Sequence, residues 1–267
     1  MPAPFAAIAV TRLSHTFESR SGATTLALSD VSFEFPAGRV TSIVGPSGCG
    51  KSTLLLILRG LLAASEGEVR FLYGAERQPG PPPRMATVWQ SFNLLPWRSV
   101  LDNVAFGLEL GGMGRAEREA RAQDAIRAVE LGGFEKHFPG QLSGGMRQRV
   151  GLARGLVMQP EILFLDEPFG ALDAQTRLYL QEQLSALVER SGRTVVLVTH
   201  SIEEAIFLGD LVMVMTARPG RVAATLEVGL PRPRGLDAQK TPRFGQLFEE
   251  IYGLLRDEVR KAMLERI

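Results

Sequence analysis

Cysteine, lysine and long apolar runs are all scarce in this chain. Cys49 is the only cysteine, so no intrachain disulfide can form and a reducing compartment is the expectation. No stretch reaches about 18 uninterrupted apolar residues, the length of a bilayer-spanning helix. The best run, LLLILRGLLAA at 54–64, is broken by Arg59. The opening MPAPFAAIAVTRLSH lacks both the basic start and the long apolar run of a secretory signal. A soluble chain is expected. Excess charge is missing too: 30 basic residues face 29 acidic ones, a net of +1. That balance argues against a broad electrostatic footprint for nucleic acid and leaves only a local patch open. Lysine occurs only at Lys51, Lys136, Lys240 and Lys261; the arginine excess is compositional and carries no functional reading.

What is present is an α/β pattern. The chain has 267 residues, 45% of them hydrophobic, enough for the core of one large domain or two small ones. VTSIV at 40–44, EILFLDEP at 161–168, TVVLVTHS at 194–201 and LVMVMT at 211–216 read as buried strands. Helical patterns lie between them, which predicts a largely parallel sheet with ligands at the carboxyl ends of its strands. From 91 to 159 the strand signal disappears, and RAEREARAQDAIRAVEL at 115–131 places Ala122, Ile126 and Val129 near one helical face. A helical subdomain inserted into the α/β core is the expectation. ERQPGPPPR at 76–84 reads as a surface turn, and LPRPRG at 230–235 as punctuation before a tail helix. Phe244, Leu247, Phe248, Ile251, Leu254 and Leu255 recur at helical spacing in that tail, suiting either packing on the core or a partner.

The chemistry begins at GPSGCGKST, residues 45–53, between a predicted strand and a predicted helix. Glycines there let backbone N–H groups converge on phosphate oxygens, and the helix N-terminus adds favourable partial charge. Gly45, Pro46, Ser47, Gly48, Cys49, Gly50, Lys51, Ser52 and Thr53 form the cradle; Lys51 would reach the β- and γ-phosphates and the Ser52 hydroxyl would ligate Mg²⁺. Cys49 is either a small residue that fits or a redox switch. In ILFLDEP at 162–168, apolar residues bury the strand and two carboxylates emerge at its end. Asp166 is placed to hold Mg²⁺ through water, and Glu167 to act on the attacking water as general base or polariser. His200 ends TVVLVTH and is either a γ-phosphate partner or a structural histidine; Gln90, after MATVW, offers an amide oxygen to Mg²⁺ and the water. His15 and His137 receive no role.

A second glycine motif lies outside that cradle. In LSGGMRQR at 142–149, Ser143, Gly144 and Gly145 precede a plausible helix and make another N-terminal anion site. One nucleotide does not need two cradles. In a head-to-tail pair, the Ser143 loop of one copy would cover the γ-phosphate held by the other; the local alternative is a helix cap with glycine flexibility.

With those residues in view, the chain resembles the ATP-binding subunit of an ABC transporter over residues 7 to 230. GPSGCGKST looks like the family's Walker A, LSGGM its signature loop, ILFLDEP its Walker B with catalytic Glu167, and His200 its switch histidine. ALD at 171–173 resembles the loop that crosses the dimer interface through Asp173. Gln90 resembles the glutamine that senses the membrane subunits, and Phe17 the adenine-stacking aromatic, unless it is an ordinary core residue. Met146 and Gly155 depart mildly from the common pattern. QSFNLLPWRSVLDNVAFGLEL at 90–110 is similar to the nitrate/sulfonate/taurine import ATPases; Trp97 would lie near a groove for a permease coupling helix or serve the local core.

The resemblance implies a P-loop NTPase core with a parallel sheet, an antiparallel β portion near the N-terminus and the inserted helical subdomain. The ATP-binding domain would span 7–230, with core 7–90 and 160–230, helical subdomain 91–159, and a helical tail 231–267. It further implies ATP and Mg²⁺, a homodimer, two membrane permease subunits and an extracytoplasmic solute-binding protein, with no nucleic acid. The place of work would be the cytoplasmic face of the inner membrane, peripherally. The alternative is a soluble ABC-type ATPase acting on ribosomes or DNA, though such proteins generally carry two ATP modules or long inserted arms.

Overall fold

The computed structural model describes residues 4–19, 22–170 and 172–264. Ala171 of the ALD stretch and residues 265–267 of the predicted tail lie outside them. In chain order the elements are β1 (Phe5–Glu18), β2 (Thr24–Pro36), β3 (Val40–Val44), α1 (Lys51–Leu58), β4 (Glu66–Tyr73), β5 (Gln78–Gly80) and β6 (Met85–Val88). There follow α2 (Val100–Leu110), α3 (Arg115–Ala128), α4 (Gly144–Leu156), β7 (Ile162–Asp166), α5 (Ala174–Ser191) and β8 (Thr194–Val198). The chain closes with α6 (Ile202–Leu208), β9 (Leu211–Met215), β10 (Val222–Glu227) and α7 (Pro242–Leu264). Two compact units result: one from the chain up to Pro83 together with everything from Ser185 on, the other Arg84–Leu184.

In the first unit β3 lies between β8 and β9, parallel to both, and β10 pairs antiparallel with β9. Every residue of β3, β8 and β9 is buried, which is why these segments read as unbroken apolar runs rather than alternating ones. A separate antiparallel sheet, ordered β2-β1-β4-β5, forms the N-terminal β portion. The stretch 76–84 departs from the expected turn. Gln78–Gly80 is an edge strand, because Pro79 stands opposite Leu72 where its missing N–H does no harm, and the Tyr73 hydroxyl donates to the Pro81 carbonyl at 2.6 Å.

LPRPRG is also more than punctuation. Arg234 is only 5% exposed. It donates to the carbonyls of Ile206 and Phe207 (both 3.1 Å), Gly209 (2.6 Å) and Leu230 (3.1 Å). Arg232 donates to the Leu208 carbonyl (2.7 Å) and to Asp210. A helix end leaves its last carbonyls without intrahelical partners, and these two arginines satisfy the end of α6. In α7, Phe244, Leu247 and Ile251 are buried, whereas Phe248, Leu254 and Leu255 of the same apolar stripe are partly exposed.

In the second unit β6 and β7 pair in parallel. Among the described residues no strand lies between β6 and β7. Ala122, Ile126 and Val129 are buried on one side of α3 and its C-cap, as the periodicity requires. Among the described residues no helix is long and apolar enough to cross a membrane.

Candidate functional site

The phosphate-loop candidate is built where β3 ends. Ile43 pairs with Val198 of β8 and Met213 of β9, so three parallel strands deliver their carboxyl ends side by side. The Thr199 N–H donates to the Ile43 carbonyl at 3.1 Å, extending the β3–β8 pairing to the residue before His200. His200 therefore leaves the sheet beside the start of the loop. Its backbone is fixed on the far side: the Ser201 hydroxyl caps α6 by accepting the Glu204 N–H (3.1 Å), and the Thr199 hydroxyl donates to the Glu204 carboxylate (2.9 Å).

The loop itself requires its glycines. Gly50 has φ +102 and precedes the first turn of α1; a Cβ there would approach Leu28 Cδ2 to 2.7 Å, so both conformation and space exclude a side chain. No side chain caps α1, which leaves the helix N-terminus suited to an external anion. Lys51 Nζ lies inside the loop, 2.8 Å from the Gly45 carbonyl, 3.1 Å from that of Pro46 and 3.9 Å from Cys49 Sγ. The side chain is buried and its described partners are carbonyls and a thiol. A buried ammonium without a carboxylate is costly, and a phosphate oxygen is the counter-charge that fits it. Ser52 and Thr53 occupy the first turn of α1, with Ser52 exposed. Cys49 is 1% exposed, and burial raises its thiol pKa against the opposing pull of Lys51. It packs as a small filling residue, and burial outweighs the one neighbour, Lys51, that favours the thiolate a redox switch needs.

The second unit carries the other predicted group. Asp166 is the last residue of β7 and Glu167 follows with φ +45, a backbone conformation uncommon outside glycine. The Glu167 carboxylate accepts the Gln90 amide N–H at 2.9 Å. Gln90 thus engages Glu167 through its nitrogen, which leaves its oxygen for another partner. Ser143 is the N-cap of α4, its hydroxyl accepting the Met146 N–H at 3.3 Å. Gly144 opens that helix, and Gly145 is buried against Thr176, whose Cγ2 would stand 2.7 Å from a Cβ. Asp173 caps α5, its Oδ1 accepting the Thr176 N–H at 3.0 Å. That bond is the main reason its carboxyl titrates below the usual aspartate range.

Phe17 is 44% exposed on β1, its ring edge-on to His15 at a centroid distance of 4.5 Å. It is not a core residue. Trp97 is 72% exposed, so the local-core alternative fails for it as well. The 95–99 loop that presents Trp97 is shaped from beneath by Asn103, whose buried amide accepts the Leu95 N–H (2.8 Å) and bonds the carbonyls of Leu95, Arg98 and Ser99.

Two arginines with no sequence signal also shape these loops. Arg154 of α4 donates to the carbonyls of Asn93 (2.6 Å) and Phe92 (2.8 Å), tying the helix behind Ser143 to the segment behind Gln90. Arg218, in the loop after β9, donates from Nε to the Gly48 carbonyl at 3.3 Å. Only periodicity and short motifs are legible in one sequence, and neither residue belongs to one.

The chain is also similar to known proteins. The ABC transporter family pattern matches residues 28–170. The chain is 46% identical over 255 residues to the taurine import ATP-binding protein TauB of Rhizobium johnstonii, covering 92% of this chain and 96% of that one. It is 41% identical over 257 residues to the nitrate import ATP-binding protein NrtC of Synechococcus elongatus, covering 95% of this chain and 39% of that one. Among solved structures, the dimeric structure of MJ0796, a bacterial ABC transporter cassette, matches with a TM-score of 0.71 and 33% identity over 83% of this chain and 98% of that one. A post-hydrolysis dimer of that cassette, bound to ADP and Pi, matches equally well.

Proposed function

We propose, from the premise that this chain belongs to the ABC transporter family, that it is the ATP-hydrolysing subunit of an importer for a small anion of the taurine, sulfonate or nitrate type. The observation that carries this reading is the buried Lys51 ammonium inside a glycine loop, together with 46% identity to a taurine import subunit along almost the whole chain. The domain plan is an ATP-binding domain at 7–230, its helical subdomain at 91–159, and a tail at 231–267.

In this reading residues 45–53 hold the triphosphate of ATP and Phe17 stacks on the adenine. Lys51 places positive charge on the β- and γ-phosphates, and His200 donates to the γ-phosphate. Glu167 polarises the attacking water. Hydroxyl, carboxylate and amide oxygens are hard donors suited to Mg²⁺; Ser52, Asp166 and Gln90 would hold it, and it would neutralise charge on the phosphates. Two copies pair head to tail, so that Ser143, Gly144 and Gly145 of one complete the site of the other, with Asp173 at the interface. The dimeric cassette relatives support that assembly. The partners are two membrane permease subunits and an extracytoplasmic solute-binding protein, and the chain works peripherally at the cytoplasmic face of the inner membrane.

The test is uptake. Deleting this gene in its host should abolish accumulation of one of radiolabelled taurine, an alkanesulfonate or nitrate, and the parent sequence should restore it while Glu167→Gln should not. Undiminished uptake of all three solutes would refute the substrate class.

A further inference from the structure

The loop Thr216–Gly220 holds none of the residues that carry the proposed ATP chemistry, yet it is built against the phosphate loop. It follows β9, the strand flanking β3. The loop is held from three sides. The Gly220 N–H donates to the Ala27 carbonyl (2.9 Å) and its carbonyl accepts the Ser29 N–H (3.0 Å). The Thr216 hydroxyl accepts the Arg221 N–H at 2.9 Å and lies 3.0 Å from the Pro219 carbonyl. The Ala217 N–H donates to the carboxylate of Glu258, on α7, at 3.2 Å. The approach to the phosphate loop is as close as backbone allows: a Cβ on Gly220 would stand 2.0 Å from the Cys49 carbonyl oxygen, so only glycine fits.

Arg218 is the residue this framework presents. Its Nε donates to the Gly48 carbonyl at 3.3 Å, and a Cβ on Gly48 would lie 3.4 Å from its Nη2. Gly48 itself has φ +76, so the guanidinium braces the turn that aims the loop's N–H groups. We propose that Arg218 is a further nucleotide-affinity residue, a second cation beside Lys51 at the triphosphate, and that Glu258 of the C-terminal helix is its positioning residue. This rests on the reading that residues 45–53 hold the triphosphate. Arg suits the task, because one edge of its planar fork can brace a carbonyl while the other faces an anion. A charge in this exposed setting is screened, so its contribution is graded rather than absolute.

The experiment is a fluorescence titration of the full chain with ATP, ADP and adenosine in Mg²⁺, on Arg218→Ala, Arg218→Lys, Glu258→Ala and Lys51→Ala. Arg218→Ala should weaken ATP binding about three- to tenfold, as one partly screened charge does. ADP should lose less and adenosine nothing, and the loss should shrink in high salt. Arg218→Lys should recover most of it. Glu258→Ala should lose part of the same factor, and adding it to Arg218→Ala should lose nothing further. ATP affinity within twofold of the parent in Arg218→Ala, or an equal loss for adenosine, would overturn the proposal while Lys51→Ala still abolishes binding. If Lys51→Ala binds ATP normally, the reading of the loop itself fails.

Discussion

Replacing Arg234 by alanine should destabilise the first unit severely while touching none of the residues assigned to the nucleotide. The guanidinium satisfies four backbone carbonyls around the end of α6 and lies 3.4 Å from the Asp210 carboxylate. Truncation leaves those carbonyls short of donors, while Asp210, largely buried, keeps Arg232 and the Val40 N–H. Removing one partner of such a buried charged network costs about 3–5 kcal/mol, against a total stability of about 5–15 kcal/mol. The transition should therefore fall by about 10 °C in a chain of this size. Arg234→Lys should recover less than half, because one ammonium cannot span the fork. Burial, and secondarily Arg232, lower the Arg234 pKa to about 10, with Asp210 opposing. The unfolded chain thus holds that proton more tightly, and stability should rise only as pH climbs above about 10. Across neutral pH the deficit should be flat. Urea unfolding followed by circular dichroism at several pH values measures all of this. A loss below about 1 kcal/mol would refute the clamp, since ordinary surface substitutions stay within about 0.5 kcal/mol.

Three further outcomes follow from the sites. Glu167→Gln should bind ATP but hydrolyse it at least about 100-fold more slowly, so that an ATP-loaded dimer accumulates on size exclusion; near-normal turnover would remove Glu167 from its role. Mixing Ser143→Arg subunits with Lys51→Ala subunits should restore one intact composite site per heterodimer and hence measurable ATPase, whereas normal hydrolysis by either single variant would show that the sites are not shared. The Asp173 carboxyl should titrate below the usual aspartate value because it accepts the Thr176 N–H. As a depressed acid, its cap on α5 is present above that usual value and lost as pH falls through the folded one; a ¹³C carboxyl titration with an ordinary midpoint would contradict it.

The strands, the helix after Lys51 and the helix after Ser143 were legible because burial on both faces writes continuous apolar runs, and because glycines and a capping serine mark where helices begin. Val40–Val44 and Leu211–Met215 follow the apolar runs closely. What escaped the sequence has a common cause. Gln78–Gly80 is an edge strand whose own proline and the three that follow it signal a turn by composition. Arg218, Arg154 and Arg234 act on backbone carbonyls up to 170, 62 and 28 residues away. An arginine aimed at a carbonyl leaves no periodicity, and in a chain with so many arginines its identity alone points nowhere. The exposure of Phe17 and Trp97 was equally hidden, since an aromatic reads the same on either side of a strand or loop.

The distribution of the assigned groups between the two compact units bears on how turnover could be controlled. Lys51, Ser52 and His200 belong to the first unit, while Gln90, Asp166, Glu167, Ser143 and Asp173 belong to the second. Within the first unit a phosphate can meet its cations; the base proposed to act on water belongs to the second unit, with its carboxylate bonded to Gln90. Arg154 then links the segment after Gln90 to α4, the helix that Ser143 caps. A displacement of that segment would therefore reach both the Glu167 carboxylate and the helix that Ser143 caps. Those connections are made by charged or amide side chains to backbone and carboxylate groups, bonds that are directional and exchangeable, unlike the apolar packing of α3. On the proposed function, the bonds of Gln90 to Glu167 and of Arg154 to residues 92 and 93 are thus the polar contacts, inside one unit, through which a membrane partner bearing on that segment would act on the carboxylate.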